Sequence, residues 1–279
     1  MNYFIHVTPK TKLFVRDIGK GEPVLFLHGW PVNAKMYEYQ FTTLPARGIR
    51  CIAPDLRGFG KSDAPFTGYS YNQLADDIRM LDDIRMLVER LELKNYTLVG
   101  FSMGGAIAIR YMSRHLGYGV KKLILLGAAA PSFIQKTDFP YGLPSEEVNT
   151  IIQNTYRDRP NMLEEFGKKF FNQPISSAFR GWFQDLGLEA SGHGTIKTAV
   201  SLRDEDLRED LSQIFAETYI LHGKKDQICP FDLAKVMNRH ISFSTLLPFE
   251  NSGHGLFYDE REKVNDTLIE LIAKSSAYK

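Results

Sequence analysis

Six short runs that are apolar almost throughout constrain this chain more than any other feature. They are Pro23–Leu27, Arg50–Ala53, Tyr96–Phe101, Lys122–Leu126, Thr218–Leu221 and Ser244–Pro248. A strand with no polar face is buried on both sides, which is the condition of strands in a parallel sheet. Helical patterns at Tyr71–Leu93, Gly104–His115, Pro230–His240 and Tyr258–Lys274 separate several of the runs. That alternation produces a parallel sheet flanked by helices. Upstream, Tyr3–Thr8 and Lys12–Asp17 read as a hairpin turning at Thr8-Pro9-Lys10-Thr11. The expected core is a mostly parallel α/β sheet of eight strands.

The alternation stops between Pro131 and Gln213. That stretch has no clear strand and four helical patterns: Ser145–Arg157, Pro160–Phe171, Ser176–Gly187 and Thr195–Arg203. It is rich in aromatics, among them Phe133, Phe166, Phe170, Phe171, Trp182 and Phe183. A helical insertion between two sheet strands reads as a cap over the strand ends. The expected organisation is a sheet core of residues 1–130 and 214–279 with a small helical cap, 131–213, inserted before the strand at Thr218.

Composition narrows the function classes. The 279 residues carry 34 basic and 33 acidic side chains, a net charge of +1. A nucleic-acid binder shows a basic excess or patch, so nucleic acid is not an expected partner. The longest mostly apolar run, Leu123 to Ile134, is broken by Pro131 and is shorter than the ~18 residues of a membrane-spanning helix. Met1 to Lys10 has no basic segment followed by an apolar one, so a cytoplasmic protein without membrane attachment is expected. Cys51 and Cys229 are the only cysteines and have neither metal-binding nor disulfide-framework spacing. Both read as small reduced apolar side chains.

One segment is repeated. Asp76–Leu81 is followed at once by an identical copy, Asp82–Leu87. Six residues turn a helix by about 600°, so the second copy lies about 240° out of phase with the first. The expected reading is a recent tandem insertion that lengthens the helix by about 9 Å or bulges one copy outward.

The chemistry centres on Gly100-Phe101-Ser102-Met103-Gly104-Gly105. It follows an apolar strand and opens a helical segment, the strand–turn–helix context that a G-x-S-x-G nucleophile requires. The glycines let the chain turn sharply with the serine at the apex, at the helix N-terminus where negative charge is stabilised. A serine hydroxyl is a poor nucleophile without a base, and the base needs an orienting acid. In this architecture the chain order is serine, acid, histidine. The turn after Thr218–Leu221 presents Asp226, whereas the turn after Leu126 is Gly127-Ala128-Ala129-Ala130-Pro131 and offers no carboxylate. Two histidines share one local sequence, in Ser191-Gly192-His193-Gly194 and Ser252-Gly253-His254-Gly255. His193 precedes Asp226 and falls in the cap, so His254 is the expected base and His193 a loop histidine. His28 and His222, both in Leu-His-Gly at strand ends, read as packed structural residues. The backbone amides of Met103 and Trp30 are the expected oxyanion donors, because Pro31 has no N–H to offer. Asp55, Arg57, Gly58, Gly60 and Ser62 read as turn-shaping residues with no chemical role.

With His28-Gly29-Trp30-Pro31, Asp55-Leu56-Arg57-Gly58-Phe59-Gly60-Lys61-Ser62, Ala75-Asp76-Asp77, the Ser102 motif, Gly223-Lys224-Lys225-Asp226 and Gly253-His254-Gly255 in hand, the chain resembles the α/β-hydrolase superfamily over essentially its whole length. It resembles in particular the esterases akin to cofactor-free (non-haem) haloperoxidases, many of which are also perhydrolases. The resemblance implies a Ser102–Asp226–His254 triad, an oxyanion hole from the Trp30 and Met103 amides, and hydrolysis of small acyl or aryl esters with no metal or organic cofactor. In that family a proline after the oxyanion-loop tryptophan, Pro31 here, accompanies better perhydrolysis. The repeated Asp82–Leu87 departs from the family pattern. Phe133 and Ile228, next to strand ends, are expected to line a small acyl pocket. The expected partner is a small-molecule ester, and a homo-oligomer is compatible with that. The competing reading is a ligand-binding receptor on a hydrolase fold with vestigial turnover, since fold alone does not set function.

Overall fold

The computed structural model of the chain describes residues 1–79, 93 and 95–274. These residues form an eight-stranded sheet: β1 (Asn2–Thr8), β2 (Thr11–Ile18), β3 (Glu22–Leu27), β4 (Ile49–Pro54), β5 (Tyr96–Phe101), β6 (Val120–Leu126), β7 (Glu217–Gly223) and β8 (Ser244–Phe249). The spatial order is β1-β2-β4-β3-β5-β6-β7-β8. β1 and β2 form the antiparallel hairpin, β2 joins β4 antiparallel, and every further pairing is parallel. β5 is buried at all six positions and β3 at its last four, as strands covered on both faces must be.

Helices cover the sheet. α1 (Glu38–Thr43) follows the β3 loop, and α2 (Tyr71–Arg79) follows β4. In α2 the buried apolar side chains are Tyr71, Leu74, Ala75 and Ile78, the i, i+3, i+4, i+7 stripe of a helix with one face inward. The repeat reading concerns a stretch that lies, beyond Arg79, outside the described residues. α3 (Met103–Arg114) begins directly after Ser102 and is buried along most of its length.

Between β6 and β7 the chain forms α4 (Ser145–Lys168), α5 (Ser177–Leu188) and α6 (Gly192–Asp204). α4 spans the two helices expected on either side of Pro160 and departs from helical geometry at Asp158 (φ −157°, ψ 83°). Pro160 removes a backbone donor and its ring crowds the carbonyl four residues earlier, which breaks the helix within that turn. His193 is not in a loop. It lies in the first turn of α6, which Ser191 caps by accepting from Gly194 N at 3.1 Å.

After β7 come α7 (Phe231–His240), β8, α8 (Leu256–Asp259) and α9 (Arg261–Ala273). The single helix expected over Tyr258–Lys274 is interrupted at Glu260 (φ −120°, ψ 50°). Glu260 takes hydrogen bonds from Asn251 N (3.0 Å) and Ser252 Oγ (2.7 Å), so the break anchors the preceding loop. Among the described residues, no helix is long and apolar enough to cross a membrane.

Candidate active site

Ser102 sits at the sharp turn from β5 into α3 with φ 53° and ψ −118°. This is a sparsely populated conformation for a non-glycine residue, and it persists only where the surroundings over-determine it. Here they do. Ser102 N donates to Leu126 O (3.0 Å), while its carbonyl accepts from Gly105 N, Ala106 N and Ala129 N (2.9–3.1 Å). Met103 N is the first amide of α3, and the opening amides of a helix have no partner within it.

The loop after β3 lies against this turn because position 29 is glycine. A Cβ on Gly29 would stand 2.9 Å from Ser102 Cβ and 2.7 Å from the Phe101 ring. The next residue, Trp30, is 3% exposed, and its Nε1 donates to Thr195 O of α6 at 2.9 Å. Its ring meets Phe166 of α4 edge-on at 5.0 Å. The loop expected to supply the second oxyanion donor is thus fixed from both sheet and cap.

Asp226 and His254 meet across two loops. His254 Nδ1 lies 2.8 Å from Asp226 Oδ2, with both side chains fully buried. A carboxylate only accepts, so Nδ1 carries the proton and Nε2 is the free, basic nitrogen. The other carboxylate oxygen accepts from Ile228 N and Cys229 N, both at 2.8 Å. Burial pushes the Asp226 carboxyl up, but the charge of His254 and hydrogen bonds from His222 and His254 outweigh it. The net result is a carboxyl held well below the usual range. The two loops approach closely because position 223 is glycine: a Cβ there would lie 2.2 Å from Gly253 O.

The histidine loop is further held by Asp259, whose carboxylate takes Gly253 N (2.7 Å) together with Asn172 N and Gln173 N at the foot of the cap (2.9 and 3.0 Å). Burial raises the Asp259 pKa, and these three amides oppose that rise. Gly255 N donates to Phe170 O (2.8 Å), and the rings of Phe101 and Phe170 pack on the His254 imidazole at 4.8 and 4.9 Å. His254 Nε2 is buried and without a hydrogen-bond partner among the described residues. The serine-to-base link is therefore open here, as such links often are before substrate binds. His193 is elsewhere, with Nε2 3.0 Å from Ala64 O beside Phe66 and Tyr69.

The turn residues after β4 bind their own and neighbouring loops. Asp55 accepts from Ala34 N and Lys61 N (both 2.9 Å), and Arg57 forms a buried bidentate pair with Asp77. His28 Nε2 accepts from Leu56 N at 2.9 Å, which locks the β3 and β4 loops together. Two contributors carry no motif in the sequence, Asp259 and Glu260, and Phe170 reads there only as one aromatic of the cap. Only the run of two acids after Gly253-His254-Gly255 hinted at the first two. His222, read as structural, also touches the site, with Nε2 3.4 Å from Asp226 Oδ2.

One set of donors, Asp226, Cys229 and His254, lies within 4.8 Å of one another and has the composition of a metal site. Two of the three already hydrogen-bond to each other, and burial next to Asp226 keeps the thiol protonated. A cation would have to displace both protons, so the set fits a hydrogen-bonded acid–base pair better than a metal centre. An apolar crevice opens between the β3 loop and the cap, walled by Pro31, Val32, Leu163, Phe166, Phe171 and Phe183. Phe133 and Ile228 are buried at 5% and 3% exposure and are not in its walls.

A strained serine at a strand–helix turn, a buried histidine–carboxylate pair and a helical layer over the strand ends together have the form of a hydrolase. The comparisons agree. Residues 22–261 match the α/β-hydrolase fold family, and the chain belongs to it. The chain is 51% identical over 268 residues to the AB hydrolase superfamily protein YisY of Bacillus subtilis, covering 96% of this chain and 98% of that one. Among solved structures, an esterase from Exiguobacterium antarcticum superposes with a TM-score of 0.94 at 49% identity, covering 98% of this chain and all of that one. A bromoperoxidase from Bacillus anthracis follows with a TM-score of 0.92 at 32% identity and the same coverage.

Proposed function

We propose that this hydrolase is a serine carboxylesterase acting on small acyl or aryl esters through an acyl-enzyme. The observation that carries the reading is the buried 2.8 Å contact from His254 Nδ1 to Asp226, which leaves Nε2 as the basic nitrogen. Ser102 Oγ attacks the ester carbonyl as His254 Nε2 takes its proton, with Asp226 stabilising the imidazolium. The Met103 and Trp30 amides receive the developing oxyanion. Collapse expels the alcohol, which takes the proton from His254. Water, activated by the same nitrogen, then attacks the acyl-enzyme, releases the acid and restores Ser102. Hydrogen peroxide in place of water releases a peracid, which is the proposed perhydrolase side activity. No step calls for a metal or an organic cofactor.

Residues 131–213 act as the cap in this reading. The crevice at Pro31 is the proposed place for an apolar substituent, and Phe133 and Ile228 are assigned to the acyl side from their places near the strand ends. The test is turnover of p-nitrophenyl acetate by the protein and by Ser102→Ala, followed by an acyl-chain series with and without peroxide. A Ser102-dependent rate that falls with chain length is expected. An unchanged rate in Ser102→Ala overturns the proposal, and ligand binding without turnover favours the receptor reading.

A further inference from the structure

The excursion from β7 to α7 carries the proposed acid, yet it has no secondary structure of its own between Gly223 and Pro230. A side chain bridges its two ends. His222, the penultimate residue of β7, is completely buried, and its Nε2 lies 2.7 Å from the Cys229 carbonyl oxygen. A carbonyl only accepts, so Nε2 carries the proton and donates. The same nitrogen lies 3.4 Å from Asp226 Oδ2, the oxygen that meets His254. Nδ1 of the ring is buried with no hydrogen-bond partner among the described residues. A proton there would be buried unsatisfied, so the geometry selects the neutral tautomer with its single N–H aimed into the turn. Phe231 packs edge-on to the ring at 5.9 Å.

We propose that His222 is a positioning residue: its Nε2–H staples the Cys229 carbonyl, closes the turn around Asp226, and stands as an additional donor beside the oxygen that receives His254. The Ile228 and Cys229 amides that hold the other carboxylate oxygen lie in the stapled segment, so the staple also fixes their direction. Without it the carboxylate keeps its charge but loses its single orientation. The imidazole of His254 is then no longer held toward Ser102. His222 touches no reacting atom in this scheme.

The inference rests on the esterase reading for its kinetic readout, and one further readout is independent of it. Glutamine at 222 places an amide N–H near the position of Nε2, whereas asparagine places it near Nδ1, short of Cys229. His222→Asn is expected to lose about 10- to 100-fold in kcat with little change in KM, the cost of a misplaced catalytic group. His222→Gln is expected to stay within about threefold of the parent protein. The second readout is the low-field proton resonance of His254 Nδ1–H, assigned by its absence in His254→Ala. It is expected in the parent protein and in His222→Gln, and broadened or displaced in His222→Asn. Equal behaviour of the two variants, in kcat or in the resonance, overturns the proposal. If His222→Asn does not fold, loss of the resonance in folded His222→Gln overturns it. Should the parent protein hydrolyse no ester, the esterase reading falls and the resonance still decides the role of His222.

Discussion

Gly29→Ala tests how the proposed oxyanion loop is seated. The added Cβ would stand 2.7 and 2.9 Å from two Phe101 ring carbons and 2.9 Å from Ser102 Cβ, where ordinary contact begins at 3.4 Å. Clearing them requires displacements of about 0.7 Å and 0.5 Å, the differences between 3.4 and 2.7 Å and between 3.4 and 2.9 Å. Phe101 cannot yield. It is fully buried, with His254, Phe257 and Phe170 around its ring at 4.8, 5.1 and 5.9 Å. Ser102 cannot yield either, since its backbone is held by four hydrogen bonds to Leu126, Gly105, Ala106 and Ala129. The loop must move, and the Trp30 amide moves with it. Loss of one oxyanion donor costs about 3 kcal/mol of transition-state stabilisation, or roughly 100-fold in kcat. The overpacking itself costs about 1–3 kcal/mol of stability. The assay is kcat and KM for p-nitrophenyl acetate beside the thermal midpoint. The expected result is a large fall in kcat, a small change in KM and a folded protein. A folded Gly29→Ala with kcat within about twofold of the parent refutes the placement of the Trp30 donor.

Asp226→Asn preserves shape but no longer fixes the His254 tautomer, so kcat should fall about 10,000-fold; steady-state kinetics that show less than a tenfold loss contradict the assigned acid. His28 is held below its ordinary pKa of 6.5 by burial, against the opposing Asp55 charge and Gly29 carbonyl. Because its folded pKa is depressed, the unfolded chain takes up a proton below 6.5 that the native state refuses, so this stability is present above 6.5 and lost as pH falls through the folded value. Thermal midpoints between pH 7 and 5 should therefore fall less steeply in His28→Gln than in the parent, and parallel curves refute the argument. Arg57→Ala strands the Asp77 carboxylate, which is 2% exposed, and should cost about 3–5 kcal/mol in urea unfolding, while Arg57→Met with Asp77→Leu should recover most of it.

The parts legible in the sequence are those whose cause is local. Strands such as Val24–Leu27 announce themselves because burial on two faces leaves no polar position. Ser102 is legible because a strand–turn–helix apex needs glycine on either side of it. Asp226 and His254 follow from chain order, and the structure brings their side chains together at 2.8 Å. The contacts that were not legible join segments whose separation in sequence carries no periodic signal. The break at Glu260 is one: amphipathic spacing runs through it, and only the fold shows that its side chain serves Asn251 and Ser252. Asp259 is another, because two of its three partners lie on the cap, 86 and 87 positions away. The crevice at Pro31 is a third, since its walls combine the β3 loop with α4 and α5. His222 reads from the sequence as packed, but its approach to Asp226 depends on the path of an irregular turn.

Those missed contacts share a direction, and it bears on what the cap does. Phe170 gives its carbonyl to Gly255 N and its ring to the His254 imidazole, and the amides of Asn172 and Gln173 share Asp259 with Gly253. Trp30 is tied to α6 through Thr195. The loop holding the proposed base and the loop holding a proposed oxyanion donor are thus each fastened to the cap as well as to the sheet. A lid that only excluded water would need neither attachment. In this protein the proposed cap is bonded to the loops that carry the proposed base and oxyanion donor. Changes in the cap that alter substrate preference should therefore register in kcat as well as in KM, because they act on the proposed base and oxyanion loop through bonds already made.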